Sequence, residues 1–122
     1  MSEEISRLPP QVQQRLLRLQ QLQQTLQAVL AQKQQLELEL TEIEQASSEL
    51  KKLTKNAVIY KSIGALLVKS KKPKVTTELN ERKELLNMRA SVLGKQEERL
   101  RTQVKNLQTK LQRDLRPISP PP

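Results

Sequence analysis

The stretch Val58-Ile-Tyr-Lys-Ser-Ile-Gly-Ala-Leu-Leu-Val-Lys69 decides the fold, because nothing on either side of it shares its pattern. β-Branched and aromatic residues gather before a glycine and Leu-Leu-Val follows it, the signature of two short strands joined by a tight turn. A type II′ turn needs positive φ at its first central position, which glycine adopts without a Cβ clash, so the spacing predicts a two-residue loop of Gly64 and Ala65. In that register Ile59, Lys61, Ile63, Leu66, Val68 and Ser70 share one face, and Val58, Tyr60, Ser62, Leu67, Lys69 and Lys71 share the other. Both faces are partly apolar, yet a lone two-stranded ribbon is marginal in water and its edges carry unpaired backbone groups. The sequence offers no third strand. The hairpin is therefore expected to pair with those of other subunits, making Val58, Ile59, Tyr60, Ile63, Leu66, Leu67 and Val68 a subunit interface.

Outward from the hairpin, both flanks read as heptad helices. On the N-terminal side, a falls on Val12, Leu19, Leu26, Lys33, Leu40 and Ser47, and d on Arg15, Leu22, Val29, Leu36, Ile43 and Leu50, with Leu16 and Leu30 widening the stripe. Pro9-Pro10 marks the start, since proline fits a first helical turn. On the C-terminal side, d falls on Leu79, Leu86, Leu93, Leu100 and Leu107, and a on Lys83, Ala90, Glu97, Val104 and Leu111. The two runs match in length, which predicts a mostly α fold: a long antiparallel two-helix coiled coil with one β-hairpin at the helix junction, the hairpins assembling into an intersubunit β-barrel platform. The expected single domain divides into a flexible tip at 1–9, helices at 10–53 and 73–115, the hairpin platform at 54–72, and a flexible proline-rich tail at 116–122. Lys33 and Glu97 interrupt the apolar stripes. They are expected to face each other and fix the register, or else to extend out of the seam.

Composition narrows the function. The 122 residues are 35% hydrophobic, 1% aromatic and 29% charged, too few bulky side chains for a compact core and in keeping with a coiled coil. Cys and His are absent, which removes thiolate chemistry, the usual general base and the usual zinc ligand. Gly64 and Gly94 are the only glycines, so no glycine-rich loop cradles a phosphate. No enzyme activity, cofactor or metal is expected. No apolar run is long enough to span a bilayer, and a soluble, cytoplasmic protein is the expectation.

The net charge of +9 is concentrated: Lys51, Lys52, Lys55, Lys61, Lys69, Lys71, Lys72 and Lys74 cluster in and beside the hairpin, with no acid from Leu50 to Thr77. Such a footprint fits a nucleic-acid backbone, but it lacks arginine and has one aromatic, Tyr60. Lysines protecting exposed sheet edges are the favoured explanation. A nucleic-acid-associated coiled coil and a purely structural tether are the rival readings; a membrane-surface role is disfavoured, because the lysines are not on one face of an amphipathic helix.

Two matched coiled-coil helices joined by Ala57-Val-Ile-Tyr-Lys-Ser-Ile-Gly-Ala-Leu-Leu-Val-Lys69 resemble the β-type subunits of archaeal prefoldins. The resemblance takes in Pro9-Pro10-Gln-Val-Gln, Leu22-Gln-Gln-Thr-Leu-Gln-Ala-Val-Leu30, Gln35-Leu-Glu-Leu-Glu-Leu40 and Lys95-Gln-Glu-Glu-Arg-Leu-Arg101. Ala65, in place of a polar turn residue, and Lys71-Lys-Pro-Lys74, in place of a short acidic segment, depart from the family pattern. The resemblance implies a hexamer of two α-type and four β-type subunits, with one hairpin marking the β type. It implies an ATP-independent chaperone that captures non-native or nascent proteins with its coiled-coil tips and delivers them to a group II chaperonin. Carried onto this chain, the client contacts fall on apolar residues near both ends: Ile5, Leu8, Leu16, Leu17, Leu111, Leu115 and Ile118. For Leu16 and Leu111 the alternative is packing in the last seam layer.

Overall fold

The computed structural model describes residues 7–115, so the expected client contacts Ile5 and Ile118 and the whole of the proline-rich tail, 116–122, lie outside the described residues. Helix α1 spans Pro10–Lys52. Its first residue is a proline, whose missing N–H has no intrahelical acceptor to lose. The Pro9 carbonyl accepts from the Val12 and Gln13 amides at 2.9 and 3.1 Å, which closes the first turn.

Helix α1 ends without a glycine. The Leu53 amide donates to the Leu50 carbonyl at 3.2 Å, and the Lys72 ammonium donates to the Leu53 carbonyl at 2.7 Å. A cation on an orphan carbonyl is favoured there both as a hydrogen bond and by the helix dipole. Because Lys72 is also the first residue of helix α2, Lys72–Asp114, the bond ties the exit of one helix to the entry of the next. Pro73 stands in the first turn of α2, where its ring costs no hydrogen bond.

Between the helices, β1 (Val58–Ile63) and β2 (Leu66–Lys71) form an antiparallel pair in which Val58 faces Lys71, Tyr60 faces Lys69 and Ile63 faces Leu66. The loop is therefore Gly64-Ala65. Gly64 has φ +57°, and no described non-glycine residue has positive φ, so Ala65 keeps to the negative side, as a type II′ turn requires.

The chain divides into two compact units: a hairpin unit, Gln32–Val92, and a terminal unit made of Met1–Ala31 and Leu93–Pro122. Each holds a part of both helices running antiparallel. In the hairpin unit Arg82 donates to Glu39 at 3.1 Å, and in the terminal unit Arg15 pairs with Asp114. Leu36, Ile43, Leu50 and Leu86 are buried in the first unit, and Val12, Leu22, Leu26, Val29 and Leu111 in the second. Every a and d position named from the sequence is buried or half-buried, including the polar ones. Leu86, at 1% exposed, is the best-covered side chain among those described. The 3.5-residue repeat thus does what it should: it keeps one stripe of each helix turned toward the other.

Candidate assembly and client-binding surfaces

The hairpin presents two unlike regions. Near the helices, Ile59, Lys61 and Ser70 are half-buried, and the Lys61 ammonium reaches Glu78 on α2 at 2.6 Å. That hydrogen bond, helped by the charges of Lys61 and Lys74 and opposed by desolvation, holds the Glu78 carboxyl below the ordinary glutamate range. The Ser70 hydroxyl is buried without a hydrogen-bond partner among the described residues. Toward the turn, both faces open to solvent. Tyr60 is 62% exposed, Leu66 68% and Leu67 72%, with Ile63 and Val68 also exposed, and Val58 is exposed at the helix end of the ribbon. Of the expected interface residues, only Ile59 is partly covered within its own chain.

This is a costly surface to leave in water. Fully burying a Leu, Ile or Val side chain is worth about 1.5–3 kcal/mol, so covering the exposed half of each of these side chains would contribute roughly 1 kcal/mol apiece. The two strand edges add unpaired backbone groups, since the described sheet has only β1 and β2.

The terminal unit presents smaller apolar sites. Leu17 is 57% and Leu115 49% exposed, whereas Leu8 and Leu16 are half-buried. Leu111 is 4% exposed and fills a seam layer near the Arg15–Asp114 pair. Arg15 occupies a d position, and Asp114 satisfies the charge there from the opposite helix. Lys33, in the hairpin unit, and Glu97, in the terminal unit, are each half-buried; Glu97 also accepts from Arg101 at 2.8 Å.

Sequence reasoning missed two features. The Lys61–Glu78 and Lys72–Leu53 bonds join hairpin to helices through lysines that the sequence shows only as part of a charge cluster. Exposed Leu85, Met88 and Val92 form an apolar stripe on the outward side of α2, and their spacing of three and four residues was the signal available for finding it.

Comparison with known proteins accounts for this arrangement. The family model for prefoldin subunits matches residues 13–116. Prefoldin subunit beta of Methanothrix thermoacetophila is 46% identical over 113 residues, 93% of this chain and 94% of the relative. That of Archaeoglobus fulgidus is 48% identical over 110 residues, covering 90% and 95%. The crystal structure of the prefoldin beta subunit from Thermococcus strain KS-1 superposes with a TM-score of 0.82 at 44% identity, over 90% of this chain and 96% of that one. The beta2 subunit of the same strain, 24% identical over 75% of this chain and 97% of that one, shares the fold with a TM-score of 0.68. None of these relatives supports the nucleic-acid or tether readings of the lysine cluster and the helices. Among the described residues no helix is long and apolar enough to cross a membrane.

Proposed function

This chain belongs to the prefoldin subunit family, and we propose from that premise how its exposed surfaces are used. As a prefoldin subunit it is a chaperone component and not an enzyme, and it oligomerises with other prefoldin subunits. Four copies join two α-type subunits. Val58, Ile59, Tyr60, Ile63, Leu66, Leu67 and Val68 pair with neighbouring hairpins into a barrel platform that covers the apolar faces and completes the strand edges. The observation that carries this reading is a hairpin apolar on both faces and more than half exposed at Tyr60, Leu66 and Leu67.

Client capture belongs to the terminal unit. Leu8, Leu17 and Leu115 supply accessible apolar contacts, with Ile5, Leu16 and Ile118 beside them in sequence. Leu111, buried at 4%, takes part only where the last seam layer opens. Each patch is small, so one subunit holds a client weakly and several hold it together through effective concentration. Release toward a group II chaperonin then needs no nucleotide, and the work is done in the cytoplasm. Removing residues 1–8 and 113–122 is expected to leave assembly intact and abolish suppression of client aggregation. Undiminished suppression by the trimmed complex would refute capture at this end.

A further inference from the structure

The terminal unit contains a groove of about 240 Å³ lined by Arg18, Leu22, Gln103, Asn106, Leu107 and Lys110. Buried Leu22 and half-buried Leu107 form its floor. Arg18 lies four residues before Leu22, and Lys110 three residues after Leu107, so each cation stands over the apolar floor from its own helix. Both side chains are exposed, neither makes an ion pair among the described residues, and no carboxylate lines the groove.

The surroundings carry the same sign. Residues 7–24 and 103–115 contain Arg7, Arg15, Arg18, Lys105, Lys110 and Arg113 against a single acid, Asp114, and Arg15 takes that acid. An arriving chain therefore meets small apolar sites inside a positive field. The groove is too small for a folded partner, and its size suits one aliphatic side chain with short flanks. In an extended segment, residues two apart point to the same side. In a segment that crosses the two helices, an aliphatic residue over Leu22 and Leu107 would thus carry its i−2 and i+2 neighbours to the sides of Arg18 and Lys110, while the Gln103 and Asn106 amides offer hydrogen bonds to the client backbone.

We propose that this groove selects, among unfolded clients, extended segments in which Asp or Glu flanks an aliphatic residue at two-residue spacing. This rests on the client-binding reading above and adds a chemical preference to it. Charge complementarity at an exposed rim acts mostly through encounter and specificity, and it is screened by salt.

The test uses the assembled chaperone and three labelled, unstructured peptides sharing one leucine core, flanked at the two-residue positions by Glu, Gln or Lys. Fluorescence anisotropy should show the Glu peptide binding about fivefold more tightly than the Gln peptide, and the Lys peptide binding more weakly than either. The preference should vanish in the double variant Arg18→Gln/Lys110→Gln and at about 0.5 M NaCl. Both substitutions are at exposed positions, and an unchanged melting temperature would show that the fold is intact. Equal binding of the three peptides overturns the proposed preference and leaves client capture standing. A preference that persists in the double variant assigns selectivity to other cations and also overturns it. Binding of none of the peptides removes the client-binding reading itself.

Discussion

The helical seam and the hairpin spend similar side chains in opposite ways. Along the seam, leucines such as Leu36, Leu86 and Leu111 are covered by the partner helix of the same chain, down to 1–7% exposure. In the hairpin, Leu66 and Leu67 are left 68% and 72% exposed, with Tyr60, Val58, Ile63 and Val68 also exposed though less so. Residue type does not separate these regions; the availability of a second surface does. A heptad helix finds its complement when the chain turns back, whereas a two-stranded ribbon has faces and edges that one chain of this design does not cover. The seam is thus completed within the molecule, whereas the hairpin, in the proposed assembly, is completed between molecules.

The strongest way to break that contrast is to charge the hairpin. Ile63→Asp with Leu67→Asp places carboxylates in the expected barrel and should weaken assembly at least a hundredfold by native mass spectrometry, since each buried unpaired charge costs several kcal/mol. Helical circular dichroism should barely change, because both side chains are more than half exposed in the single chain. The converse change, Leu86→Ala, removes the best-buried seam side chain and should cost about 3 kcal/mol in unfolding. Its hairpin would remain competent to pair wherever the seam is still folded.

Smaller changes act at the junction between the two regions. Because Lys61 and its neighbours depress the pKa of Glu78, the strut from hairpin to α2 is fully present above the ordinary glutamate range. It is lost as pH falls through the lower, folded value, so assembly should become less stable on acidification, and Glu78→Gln should remove that part of the pH dependence. Helix α2 offers the mildest test: Gly94 does not have positive φ, and an added Cβ meets nothing within 4 Å, so Gly94→Ala should raise seam stability by about 1 kcal/mol with no effect on assembly.

The sequence made the seam legible nearly residue by residue, since a heptad repeat states which side chains face inward regardless of what they face. The turn was equally plain, because Gly64 is the one residue in the stretch free to take positive φ cheaply. What the sequence did not show was how the hairpin is fastened. Lys61 and Lys72 sit in a run of eight lysines, and nothing in a one-dimensional pattern distinguishes the one that meets Glu78 or the one that caps Leu53 from those facing water. At the terminal unit the heptad was informative again: Leu111 falls on a core position and is 4% exposed, whereas Leu17 falls outside the seam and is 57% exposed.

The most direct test of completion between molecules is the mass of the complex formed when the purified chain meets an α-type prefoldin subunit, measured by native mass spectrometry. The predicted result is a hexamer containing four copies of this chain, which the Ile63→Asp/Leu67→Asp chain does not form. A stable monomer in that mixture, or a hexamer that the charged hairpin leaves unchanged, would contradict it.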